Sequence, residues 1–159
     1  MPLHERVALY LPPDSLKYVS TDKGDRWADP QIYHVGEAFS PMMVEGMQNA
    51  FDEFVMIETK PTPEIMKRYQ IPHVVIVRIK QFKNHVTWHG QAVSLMADAI
   101  VYDSNLKQVA QFESRGTSDA KKVFAKKGGP EVNLNAAIEE NVLSIVQYLQ
   151  DSVRNGVWK

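Results

Sequence analysis

His73-Val74-Val75-Ile76-Val77-Arg78-Ile79 is apolar on both alternating faces up to Val77, and then one face turns polar at Arg78 and Lys80. A run without alternation marks a strand buried on both sides, so this segment is placed centrally in a sheet. Downstream, Lys83-Asn84-His85 reads as a turn and Val86 to Tyr102 as one long strand with a bulge at Gly90. Asp103-Ser104-Asn105 reads as a hairpin turn, with Asn able to take the left-handed conformation, and Gln108 to Arg115 as the return strand carrying Ala110 and Phe112 on the sheet. Ser118 to Lys127 is expected to hold a short helix with Val123 and Phe124 facing in, ended by Gly128-Gly129-Pro130. Leu134, Ile138, Val142, Ile145, Leu149 and Val153 then recur at three- and four-residue steps, the period of an amphipathic helix. Asn133 or Asn135 can cap it and Gly156 can stop it. Ile71 to Val153 is thus one folding unit, three antiparallel strands closed by a helix.

The preceding residues add to that unit. Val7 to Leu11 is a short apolar strand stopped by Pro12-Pro13. A polar loop follows, broken at Asp22-Lys23-Gly24-Asp25 and Asp29-Pro30, and Ile32 to Val35 is a further short strand. Ser40 as N-cap, Pro41 at the first helical position and a Phe39/Val44 staple predict a helix whose apolar face is Met43, Met47, Ala50, Phe51 and Phe54. The two methionines are expected to be ordinary core. Val55-Met56-Ile57 is the next strand, and Thr62-Pro63-Glu64 repeats the cap-then-proline signal for a short helix to about Gln70. The whole chain, 1–159, reads as a single α/β (α+β) domain, a mixed sheet with helices packed on it in the order β-α-β-α-β-β-β-α.

Composition narrows the function classes. Hydrophobic residues at 44% support a real core, and 18 basic against 19 acidic residues give a net charge of -1. That balance argues against nucleic acid as partner. With no cysteine, disulfides, thiolate zinc sites and cysteine nucleophiles are excluded within the chain. No apolar run approaches the roughly 20 residues of a membrane span. Met1-Pro2-Leu3-His4-Glu5-Arg6 runs into the first strand with no basic region and apolar core of a signal peptide, and a leader removed upstream stays open.

Chemistry-bearing patterns are sparse. His85 and His89 are four apart but lack a third metal ligand, so hairpin or surface histidines are expected. Asp98, Asp103, Glu139 and Glu140 would serve as an acid/base pair only if their environments separated their pKa values. Asp103 is more simply a turn residue, and Glu139-Glu140 are placed in the first turns of the closing helix, where the dipole favours them. The serines lack a nucleophile elbow, and Lys127-Gly128-Gly129 lacks the phosphate-loop spacing. No catalytic residue, metal site or cofactor is expected, and the protein is not expected to be an enzyme. Binding residues are sought instead in the basic cluster Lys121, Lys122, Lys126 and Lys127, suited to an acidic partner, a lipid headgroup or a polyanionic glycan. Trp27, Trp88 and Trp158 are candidate interface anchors, with Trp88 equally readable as core.

The order of elements, together with His73-Val74-Val75-Ile76-Val77-Arg78-Ile79, Ala99-Ile100-Val101-Tyr102-Asp103 and Asn135-Ala136-Ala137-Ile138-Glu139-Glu140, resembles the small α/β domain of bacterial envelope lipoproteins. That group includes the curli-export lipoprotein, the ring lipoprotein of Pel polysaccharide secretion and the N-terminal domain of the Tol translocation protein. The resemblance spans Glu37 to Val153. It implies a non-catalytic scaffold or assembly factor of secretion or envelope biogenesis, periplasmic and outer-membrane-associated, acting through protein partners and as a homo-oligomer, by a ring in the version that closes head to tail. The lipobox cysteine of such lipoproteins is not within the chain, so an anchor and signal peptide would lie upstream of Met1. The membrane-spanning hairpins of the curli exporter are absent, so a pore is not expected.

Overall fold

Parallel and antiparallel pairing meet at one strand, and this organises the whole sheet. In a computed structural model, which describes residues 2–22, 31–87, 90–120 and 131–158, the order of strands is β4-β1-β5-β6-β7. The strands are β1 (Leu3–Tyr10), β4 (Phe51–Ile57), β5 (His73–Thr87), β6 (Gly90–Asp103) and β7 (Gln108–Ala120). β1 lies between β4 and β5 and is parallel to both, while β5, β6 and β7 form an antiparallel meander. The helices are α1 (Pro13–Leu16), α2 (Val35–Ala50), α3 (Pro63–Arg68) and α4 (Glu131–Arg154), and a two-stranded ribbon, β2 (Ser20–Asp22) with β3 (Gln31–Tyr33), lies between α1 and α2. The α+β class and the mixed sheet are those expected from the sequence.

One face of the sheet is covered by α2 and α4. Val7, Leu9, Val75, Val77, Leu95, Ala97, Ala99 and Val101 point to it and meet Phe39, Met43, Met47, Ile138, Ile145 and Leu149 in one cluster. Met43 and Met47 are fully buried there, as the sequence implied. Among the described residues the opposite face is covered only at one end, where Met66 of α3 and Ile71 close over Ala8, Tyr10, Ile57 and Val74. The central position expected of His73–Val77 follows, since β5 has strand neighbours on both sides up to Ile76.

Local signals explain several boundaries. Thr62 Oγ1 accepts the Ile65 N–H at 3.2 Å, with Pro63 opening α3, so that cap is as read. The helix ends at Arg68, short of Gln70, in a Schellman-type closure: Ile71 N–H donates to Met66 O and Gln70 stands at φ 53. Asp103 Oδ1 accepts from the N–H groups of Asn105 and Lys107, so the hairpin forms where expected, although Leu106 takes the left-handed conformation at φ 62. Gly156, at φ 73, stops α4 with the Val157 N–H on Ser152 O.

Other expectations are corrected. α2 begins at Val35, five residues before the expected cap at Ser40, and Pro41 lies inside the helix. The N–H that Pro41 lacks would have gone to the carbonyl of Glu37, one turn back on the same exposed side, where water can satisfy it. Gly36 permits the early start, because a Cβ there would meet Ser15 O at 2.2 Å and Leu16 O at 2.3 Å. Phe51 and Phe54 belong to β4 and not to the helix face, since the chain passes into the strand at Phe51 without a loop. Lys83-Asn84-His85 is not a turn: β5 runs on to Thr87, paired with Gly90, and the bulge sits between Ile79 and Gln81. β7 also outruns Arg115, so Ser118–Ala120 is strand, and the rest of the helix expected there, 121–127, lies outside the described residues. Asn133 does not cap α4, which already includes Glu131; its side chain accepts the Ser118 hydroxyl proton at 3.0 Å.

Candidate functional site

Of the candidate binding residues, Trp27, Trp88, Lys121, Lys122, Lys126 and Lys127 lie outside the described residues, as does His89. Trp158 is placed, within the core of the chain. It is 5% exposed, its indole Nε1 donates to Ser152 Oγ at 2.7 Å, and its ring stacks on Phe51 at 5.9 Å. The turn at Gly156 swings it back onto the core, which a position near the chain end does not reveal. His73 Nε2 donates to the Trp158 carbonyl at 2.8 Å, because that oxygen can only accept.

The carboxylates are dispersed. Asp103 is committed to its hairpin. Glu139 and Glu140 are not in the first turns of α4, which starts eight residues before Glu139, and Glu140 Oε2 instead accepts the Thr117 N–H at 3.2 Å. Among the described residues no group of three or more His, Asp or Glu is placed to hold a metal ion. No helix among them is long and apolar enough to cross a membrane.

What the structure does assemble is a surface. Beyond α3, the second face of β5–β6–β7 carries Arg78, Lys80, Gln81 and Lys83 on β5, Ser94, Met96, Asp98 and Ile100 on β6, and Gln111, Glu113, Arg115 and Thr117 on β7. The register lines up Arg78, Asp98 and Glu113 in one row across the three strands, with Gln81, Met96 and Arg115 in the next. Asp98 is the buried centre of this open face. It is 6% exposed, its Oδ2 lies 3.6 Å from Lys80 Nζ, and its Oδ1 has no hydrogen-bond partner. Arg78, Lys83, Glu113 and Arg115 make no hydrogen bond or ion pair among the described residues. Sequence reasoning saw only that β5 turns polar at Arg78; the paired register needed to see a surface was hidden by the misread turn at Lys83.

The opposite side of the molecule is the outer layer of α2 and α4. The two helices cross closely at Gly46, where a Cβ would meet Val142 Cγ1 at 3.0 Å and Val146 Cγ2 at 3.1 Å. Beside the crossing lies a groove of about 340 Å3 lined by Met42, Gly46, Val142 and Leu143 and rimmed by Glu45 and Glu139. Leu143 is 62% exposed, a large aliphatic side chain with no cover. The exposed charges of the two helices are nearly all acidic: Glu37, Glu45, Glu139, Glu140 and Asp151 stand against Arg154 alone among the described side chains.

Neither a protein-family model nor a curated protein sequence matches the chain. Solved structures do align. The PelC dodecamer from Paraburkholderia phytofirmans is similar at TM-score 0.58 and 11% identity, covering 94% of this chain and 90% of that one. A dodecamer of a singly substituted PelC from the same organism aligns at TM-score 0.55 with 12% identity, over 92% and 90% of the two chains. The hypothetical protein CT253 from Chlamydia trachomatis aligns at TM-score 0.54 and 11% identity, over 98% of both. At these identities the likeness is one of fold alone: the chain shares the α/β architecture of the PelC structures over nearly its whole length.

Proposed function

We propose that this protein is a non-catalytic scaffold of the bacterial cell envelope that works by assembling with copies of itself. The observation that supports the reading is the alignment to the PelC dodecamer over 94% of this chain and 90% of that one. The exposed side chains agree with it. They form broad charged faces, and the titratable groups among the described residues are spread between turns, helix ends and strand rows. In this reading the protein is periplasmic and associated with the outer membrane, and it serves secretion or envelope biogenesis through protein contacts.

The test is the molar mass of the purified chain across a wide concentration range, by light scattering after size exclusion. A discrete oligomer, populated at micromolar protein, is expected. A strict monomer at all concentrations, with no envelope protein recovered in cross-linked pull-downs, overturns the scaffold reading. Fractionation of cells producing the full-length gene product tests the location, with recovery in the outer-membrane fraction expected.

A further inference from the structure

The open face of β5–β7 and the outer layer of α2 and α4 carry opposite charge. Among the described side chains, Arg78, Lys80, Lys83 and Arg115 outnumber Asp98 and Glu113 on the first, and on the second the carboxylates face Arg154 alone. The chain as a whole is nearly neutral at -1, so this is a separation of charge between two sides of one molecule and not an excess of either sign. We infer that copies pack head to tail, the basic sheet face of one copy laid on the acidic helix layer of the next.

Three further features fit the two faces to each other. Both present apolar surface inside their charged surround: half-buried Met96, Ile76 and Ile100 on the sheet, exposed Leu143 above its groove on the helices. The charged groups at the two centres are unpaired, since Arg78, Arg115, Glu45 and Glu139 have no hydrogen bond or ion pair among the described residues. A helix layer also supplies a cover for the second side of the sheet, where among the described residues α3 covers one end only. Symmetric pairing of like faces would set Glu45 and Glu139 against themselves, or the lysines and arginines against their own kind. Complementary sign therefore favours the heterologous contact, which closes as a ring or runs on as a filament according to the angle between successive copies.

The inference rests on the scaffold reading and names its interface, and charge reversal separates the two. R78E/R115E makes the sheet face acidic, and E45K/E139K makes the rim of the groove at the centre of the helix layer basic. Each variant alone is expected to lose at least about tenfold in self-association. Mixed in equal amounts, they are expected to co-assemble in alternation. The acidic sheet face of one fits the basic groove rim of the other, and the two unaltered faces meet as in the wild type. The quadruple variant, with the signs at both centres exchanged, regains self-association. Raising salt from about 0.1 M to about 1 M, which shortens the Debye length from roughly 10 Å to roughly 3 Å, weakens the wild-type assembly. Circular dichroism and urea midpoints confirm that each variant folds, and recovery on mixing serves as the internal control. A wild type that assembles while both double variants assemble equally well overturns the interface alone. A wild type that is monomeric throughout overturns the interface, and if no envelope protein is recovered in cross-linked pull-downs either, the scaffold reading falls with it.

Discussion

The two faces of β5–β6–β7 are built from the same strands in alternation, yet they obey different rules. Toward α2 and α4 the strands present Val75, Val77, Leu95, Ala97 and Ala99, all fully buried. Toward the other side they present Arg78, Lys80, Met96, Glu113 and Arg115, with Asp98 held between them. The alanines on the covered face are the price of proximity: α4 approaches so closely that Gly116 has no room for a side chain, and Asn141 reaches past it to the backbone of β6. The covered face is thus specified by volume. On the open face half of the side chains are charged, and those that project into solvent, such as Arg115, are expected to change without disturbing the fold. What the fold requires and what a partner can read are therefore on opposite sides of one sheet.

Substitutions can break this division or sharpen it. The largest loss is expected for Trp158→Ala, which empties the end of the covered side beside Phe51 and strips the Ser152 hydroxyl of its donor; about 3–5 kcal/mol should disappear from the urea-derived stability. A loss under about 1 kcal/mol would mean that the C-terminal turn does not seal the core. Gly116→Ala comes next. The added Cβ would sit 2.0 Å from Ala137 O, so α4 must shift, at a cost of about 1–3 kcal/mol or more by denaturant titration. Asn141→Ala removes the 2.7 Å bond from Nδ2 to Leu95 O in a buried site and should cost about 1–3 kcal/mol, while Asn141→Asp, which cannot donate there, should not restore it. The smallest effect belongs to the open face: Arg115→Glu should leave stability within about 0.5 kcal/mol of wild type, read from the same midpoints. A clear destabilisation by Arg115→Glu would show that the open face is part of the folded monomer's structure after all.

The covered face was readable in the sequence and the open one was not, for a physical reason. Apolar periodicity reports burial within one chain, so Val75, Val77, Ile138, Ile145 and Leu149 announced their positions directly. Turn chemistry located Asp103 and Gly156 for the same reason: their side chain or backbone satisfies neighbours in sequence. Pro41 misled because its local preference lost to tertiary packing, with Gly36 N–H donating to Tyr18 O and the first turn of α2 pressed against Ser15 and Leu16. Lys83-Asn84-His85 read as a turn because three polar residues in a row look like loop residues. Their strand character comes from pairing with Ser94, Val93 and Ala92, and from Asn84 Nδ2 donating to Tyr33 Oη at 3.0 Å. Charge complementarity between two distant faces leaves no local pattern to read.

The position of β1 has a consequence for how the chain is made. It is synthesised before both of its neighbours: Val7 pairs with Phe54 on one side and His73 on the other, and its apolar Val7–Leu11 has no lasting partner until both have been added. The β5–β6–β7 meander needs only neighbouring residues, so it can form early, whereas insertion of β1 closes the longest loop in the sheet and comes late. During that interval the first apolar strand is exposed and able to join other chains. A nascent chain of this protein is therefore vulnerable to aggregation through β1 until Ile76 is available, and a holding chaperone that binds extended apolar segments would have its natural target in Val7–Leu11.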